Sequence, residues 1–341
     1  MQTDRHPLKL ATLAAALSLT TLLAACGGGG GGASSTTAST GSTSTSTAPT
    51  TTNTGATASP TYAAGSQELA AFNQLNAMRQ QCGFPTMSEN TLLDQAAVNH
   101  MGYMADNKYT GHYETQGNTG FTGSTPAARF AYVGYQLQNA GEVIAPSATN
   151  NAGGAASVLA LASVPYHLAV MFFPTSDVGI SYMALNFGPL APMYTLTMDF
   201  GNTATDAPTL SSSPLTFPCQ GSTGVDYESA RQETPSPYVG GQPVNTATNP
   251  IGTPITIVGN LSDTVLLTSG VMLDPNGNQI PLNLTDSSND PNKDLPPFAA
   301  FAFPTNPLQP NTTYSVTLTG ADNGTPFNRN FSFTTGSQGQ F

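Results

Sequence analysis

The sequence predicts an α+β domain followed by an all-β sandwich, on two observations. Apolar residues recur at helical steps between Ser66 and Ser163, and two strand-like runs follow, Val178 to Asn186 and Met193 to Phe200. Beyond Thr253 the period changes to two: Ile255 and Ile257, Val265 and Leu267, Val271 and Leu273, then Ile280, Leu282 and Leu284, Tyr314, Val316 and Leu318, and finally Phe331 and Phe333. Three or four helices feeding a paired strand set indicate a layered α+β domain. About seven short strands separated by turns such as Asp274-Pro-Asn-Gly277 indicate a β-sandwich.

Each helix has its own signals. Ser66 is a good N-cap, and Leu69, Phe72, Leu75 and Met78 follow at three-residue steps before Gly83. A second helix starts near Asn90, with Leu93, Ala97, His100 and Met104 on one face. His100 therefore reads as a packed histidine with one hydrogen bond, and Met101 and Met104 as core filler. Ser124-Thr125-Pro126 opens a third helix, with proline in its first turn. An Ala-rich fourth covers roughly residues 151–163 and is stopped by Pro165. Residues 202–250 are rich in proline and read as a linker to a unit spanning 251–341.

The amino terminus specifies export. Arg5 and Lys9 precede an apolar run from Leu10 to Ala25, the pattern of a signal peptide over residues 1–25. The run ends Leu23-Ala24-Ala25-Cys26, which resembles the bacterial lipobox, whose cysteine thiol takes a diacylglycerol before the new amino terminus is acylated. Residues 26–65 then carry a glycine run and a Ser/Thr/Ala tract, too poor in apolar surface to offset backbone entropy, and so read as a tether. The resemblance implies attachment to a membrane through lipid on Cys26. Gly27 carries no aspartate-type retention signal, so the expected site is the outer membrane where two membranes are present.

The chain has 8 Lys+Arg against 19 Asp+Glu, a net charge of −11. Loss of residues 1–25 removes Asp4, Arg5 and Lys9 and leaves it one unit more negative. That balance excludes nucleic acid as a partner, whose phosphates need clustered cations, and excludes electrostatic adhesion to anionic lipid. Beyond Cys26 only Cys82 and Cys219 remain. In an oxidising compartment such a pair joins, so a disulfide between them is expected.

Several short strings occur in order: Leu75-Asn-Ala-Met-Arg79, Leu93-Asp-Gln-Ala96, Gly111-His112, Gly141-Glu-Val-Ile-Ala145, Pro165-Tyr-His167, Gly179, and Phe200-Gly201. Taken together, the series over residues 66–201 resembles the CAP superfamily of cysteine-rich secretory, antigen five and pathogenesis-related proteins. The resemblance implies an α–β–α sandwich with a cleft lined by two histidines and two glutamates that can hold a divalent metal. By position His112 is similar to the first histidine, Glu142 to the first glutamate and His167 to the second histidine. Neutral imidazoles and a carboxylate suit zinc, with a coordination position left for water. Without metal, a His/Glu pair can move protons near neutral pH.

The departures are specific. Residues 151–166 contain no acidic residue where the second glutamate belongs, Val143 replaces the asparagine usual after the first, and the chain has no tryptophan. Glu114 is a candidate replacement for the missing acid. In the second unit, Pro310 to Gly320 and Phe331 to Thr335 resemble the last strands of a bacterial Ig-like domain. Asp290, Asn292 and Asp294 alternate like a calcium loop, but Leu295 and Phe301 stand where glycine and glutamate are needed, so a solvated acidic loop is expected.

The function these features imply is ligand binding in the cleft of an envelope lipoprotein, with an apolar or lipid-like small molecule or an envelope component as partner. The Ig-like unit would act as spacer or docking surface. The alternative is a metal-dependent hydrolase or peptidase using His112, Glu142 and His167, with zinc or a similar ion as cofactor. No Ser-His-Asp or Cys-His arrangement is available.

Overall fold

The computed structural model describes residues 55–147 and 153–337 of the chain. The expected signal peptide, Cys26 and most of the tether lie outside the described residues. The first unit contains α1 (Gln67–Gln81), β1 (Ser88–Glu89), α2 (Thr91–Asn107), α3 (Pro126–Tyr132), β2 (Asn139–Ser147), α4 (Gly154–Ala162), α5 (Pro165–Met171), β3 (Asp177–Leu185) and β4 (Met193–Asn202). Its sheet has the order β1-β3-β4-β2, which leaves β2 at an edge. The α+β class holds. Neighbouring β2 residues face opposite layers: Val143 packs with α1, α4 and α5, whereas Ile144 packs with Met101 and Met104 of α2.

The helix starts follow the capping residues in the sequence. Ser66 Oγ accepts from the Leu69 N–H at 3.1 Å, Asn90 Oδ1 from Leu92 at 3.1 Å and Thr125 Oγ1 from Ala128 at 3.2 Å. Gly179 is where α2 meets the sheet, since a Cβ there would lie 2.1 Å from the Leu93 carbonyl carbon. Buried Arg79 donates to the carbonyls of Pro85, Met171 and Phe173 and so binds α1 to the end of α5.

Two local expectations need correction, and one strand was not expected. Pro165 starts a fifth helix rather than only stopping the fourth, because a first-turn proline loses no helical hydrogen bond. The segment Asn139–Ser147 is an edge strand. The tether does not run loose to residue 65: from Gly55 the backbone is docked. Thr57 N–H donates to the Glu89 carbonyl at 3.1 Å, the Thr61 hydroxyl donates to the Glu89 carboxylate at 2.6 Å, and the Tyr62 hydroxyl donates to Asp94 at 2.7 Å.

That docking site titrates. Burial pushes the Asp94 carboxyl up to about 7, against the pull of hydrogen bonds from Tyr62 and Ile180. Between the ordinary carboxylate range and pH 7 the folded chain holds a proton that the unfolded chain has released. Stability contributed by this group therefore falls as pH rises through that window. Burial moves Asp177 and Asp199 in the same direction. Urea midpoints are expected to decline from about pH 5 to about pH 8, and Asp94→Asn to flatten the slope; equal slopes in the two proteins would remove Asp94 as the cause.

Two larger sheets make up most of the C-terminal part, beside two short two-stranded pairs. One orders Leu282–Asp286, Ala299–Pro304, Ile255–Val258 and β5 (Leu215–Phe217). The other orders Gln279–Ile280, Val265–Leu273, Thr313–Asp322, Thr325–Thr335 and β6 (Ser222–Val225). Ile255, Ile257, Ala300 and Ala302 of the first face Val316, Leu318, Phe331 and Phe333 of the second. Val265–Leu273 is one strand with an irregularity between Leu267 and Ser269, not two strands. The expected linker 202–250 is also built in: β5 pairs with Ile255–Val258 and β6 runs parallel to Thr325–Thr335.

The first sheet is buried on both faces. Val258, Phe217, Phe301 and Phe303 join the core of the helical unit. Phe172 stacks on Phe217 with centroids 4.5 Å apart, while Phe173–Phe298 and Tyr166–Phe301 meet edge to face at 5.0 Å. Two faces in apolar surroundings explain the continuous run Ala299-Ala-Phe-Ala-Phe303, which carries no period of two and was not expected to be a strand. The disulfide Cys82–Cys219 adds a covalent link between α1 and the segment leading into β6. The β-sandwich is thus packed against the helical unit and is not a spacer.

Candidate cleft

Two histidines from different layers meet at the open edge of β2. His112 lies on the loop after α2. That loop is held by Glu114, whose carboxylate accepts from the N–H groups of Thr122 (2.6 Å) and Gly123 (3.2 Å) and from His100 Nδ1 (2.9 Å). His100 Nε2 also faces an acceptor, the Gly111 carbonyl at 2.7 Å. The ring thus makes two hydrogen bonds where one was expected.

Loop and strand are then joined by Arg129. Its Nη1 donates to the His112 carbonyl at 2.9 Å and its Nη2 to Glu142 Oε2. Glu142 Oε1 accepts from His112 Nδ1 at 2.8 Å. Burial alone would push the Glu142 carboxyl up, but the His112 hydrogen bond and the Arg129 guanidinium outweigh it and hold it at about 2. Asp199, opposite Glu142 on β4, moves the other way: burial, and then the neighbouring Glu142 charge, raise it well above the usual carboxylate range.

His167 sits in the first turn of α5, whose N-cap Val164 supplies no side-chain cap. Glu233 takes that role from outside the helical unit. Its Oε1 accepts from both the backbone N–H and the Nδ1 of His167, each at 2.8 Å. One carboxylate therefore caps a helix and orients an imidazole. Sequence reasoning missed Glu233, which lies 66 residues from its partner in a stretch without periodicity. The only signal was negative, the lack of an acid on the helix before His167.

The two imidazole centroids are 5.7 Å apart with a tilt of 37°. Both Nδ1 atoms face carboxylates, which only accept, so each Nδ1 carries the proton and in a neutral ring Nε2 keeps its lone pair. The rings look into a cleft of ≈ 370 Å³. Tyr166, Val170 and Phe173 line it from α5 and its end, Ala140 and Gly141 from β2, and Thr234, Pro235, Asp294 and Leu295 from the C-terminal part.

Loop 290–295, expected to be a solvated acidic loop, is solvated only in part. Asp290 is buried, accepting from the Tyr166 hydroxyl at 2.5 Å and from the N–H groups of Asp294 and Leu295 at 2.8 and 3.0 Å.

The expected metal set does not assemble as a set of ligands. Glu114 lies under the loop and spends its oxygens on His100, Thr122 and Gly123. Glu142 is turned to Arg129 and to the far side of His112. Among the described residues no group of three or more His, Cys, Asp or Glu side chains is placed to hold a metal ion. The donors that remain are two imidazole Nε2 atoms, each backed by a carboxylate.

Residues 72–177 match the family model described as CAP, the cysteine-rich secretory protein family. Among solved structures, an outer surface protein from Borrelia burgdorferi aligns with 40% of this chain and 92% of its own, at 14% identity and a TM-score of 0.34. An extracellular protein containing a SCP domain from Bacillus anthracis str. Ames aligns over 40% of each chain, at 18% identity and a TM-score of 0.32. A search of curated proteins finds no match.

Proposed function

Residues 72–177 form a CAP domain, and from that premise we propose that the protein is an exported envelope lipoprotein that binds an apolar ligand in its cleft. The observation that carries the proposal is the composite wall. Apolar side chains of the CAP domain and of the C-terminal part enclose one space with two carboxylate-oriented imidazoles at its polar end. Such a shape, mostly apolar with a few fixed polar groups, is how proteins hold small molecules. Lipid on Cys26 would place the cleft at the envelope surface, at the outer membrane where there are two. The Cys82–Cys219 bond agrees with an oxidising compartment. The strand pattern after Thr253 supports an Ig-like sandwich that serves as the second wall of the site.

A second reading, a metal-dependent hydrolase, rests on the two free Nε2 positions. These are the atoms that a divalent ion such as zinc would take, with Glu142 and Glu233 behind them as outer partners. Bound there, zinc would polarise a water or a carbonyl. Two imidazoles fall one short of the three protein ligands usual at catalytic zinc.

Two measurements separate the readings. The neutral fluorophore N-phenyl-1-naphthylamine, titrated into the full chain, is expected to bind saturably at one site. Val170→Trp, which fills the cleft, is expected to abolish that binding. Absence of saturable binding overturns the proposal. Zinc calorimetry on the same protein, with His112→Ala and His167→Ala, tests the second reading: one-to-one uptake lost in both variants supports it, and no uptake removes it.

A further inference from the structure

The charge distribution around the cleft restricts what its polar end accepts. No Lys or Arg is among the residues that line it. The guanidinium of Arg129 is fully buried and already donates to the His112 carbonyl and to Glu142. Lys293, next to the lining residue Asp294, is exposed and does not line the cleft.

Acceptors and negative charges, by contrast, gather there. Both imidazoles turn Nδ1 to a carboxylate, so that in the neutral ring Nε2 presents its lone pair to the cleft. Asp294 adds an exposed carboxylate to the lining. Behind His167, Glu233 Oε2 is buried with no hydrogen-bond partner, so no second donor meets its charge. The whole chain carries −11.

We infer that the cleft selects amphiphiles whose polar head donates hydrogen bonds or carries positive charge, an amine or an alcohol, and rejects those ending in carboxylate or phosphate. An ammonium head satisfies the Nε2 lone pairs and Asp294 together. A hydroxyl head satisfies the lone pairs alone. A carboxylate head leaves all of them without donors and adds repulsion, in a place where burial raises the cost of an unmatched charge. This rests on the binding reading above and names the ligand class of the same site.

The test uses three probes with one tail: decylamine, 1-decanol and decanoate, each titrated calorimetrically into the full chain at neutral pH. Decylamine is expected to bind about tenfold or more tighter than decanoate, with 1-decanol between them. Asp294→Asn is expected to narrow the gap between amine and alcohol by weakening amine binding the more. Equal binding of all three, or tighter binding of decanoate, overturns the head-group inference and leaves the binding proposal intact. A gap unchanged in both Asp294→Asn and Glu233→Gln reflects overall charge rather than the cleft, and overturns it too. Binding of none of the three counts against the cleft as an amphiphile site, and so against the proposal beneath.

Discussion

Arg129→Met is expected to destabilise the protein by about 3–5 kcal/mol, the usual result of removing one partner from a buried ion pair. Arg129 is fully buried and is paired with a buried Glu142, while Glu114 Oε1 lies 3.9 Å from its Nε. Without the guanidinium, the Glu142 carboxylate loses the cation that helps to hold it at about 2 against the pull of burial. The sign follows. In the intact protein Glu142 contributes stability that is present above the ordinary carboxylate range and is lost as pH falls towards 2. In Arg129→Met that acid-side loss should move to higher pH. Chemical denaturation at several pH values measures both effects. The double variant Arg129→Met/Glu142→Leu should recover much of the loss, because an apolar pair of similar volume often matches a buried ion pair. If the double variant is as unstable as the sum of its single changes, the ion pair is not the cause.

The second large effect is covalent. Cys82 and Cys219 are separated by 137 residues, and the bond between them closes nearly the whole CAP domain into one loop. In the chain-entropy account a loop of about 100 residues is worth about 4.7 kcal/mol, and loss of native disulfides commonly costs about 2–5 kcal/mol. Cys82→Ser/Cys219→Ser is expected to lose an amount in that range. The intact chain compared with and without reductant in urea gives the same comparison if the variant folds poorly. A change below about 0.5 kcal/mol would show that the shared core alone holds α1 to the C-terminal strands. That core is substantial: Phe172 on Phe217, Phe173 on Phe298 and Tyr166 on Phe301 all cross the same boundary.

Much of the fold was legible from local chemistry. Ser66, Asn90 and Thr125 cap the helices they announce, and the period of two marks Thr313–Asp322 because that strand has one buried face. The failures have physical causes. Ala299–Pro304 was missed because burial on both faces erases alternation. Residues 202–250 read as linker because proline and short edge strands carry weak local signals, although β5 and β6 complete both sheets. Gly55 to Tyr62 read as tether because its composition is polar; Glu89 and Asp94, which dock it, lie about thirty residues away in the chain.

The site divides in the same way. By itself the sequence determined which residues have the chemistry for a cleft, since His112, Glu142 and His167 stand in an ordered series of short motifs, and it determined the Cys82–Cys219 pair. Only the tertiary structure decided what those residues do. It turned Glu142 towards Arg129, placed Glu114 under a loop with His100, and brought Glu233 from beyond the CAP domain to orient His167. Direction and partner of a side chain depend on residues far away in sequence, and a string of letters holds the identity of a carboxylate without saying which imidazole it will face.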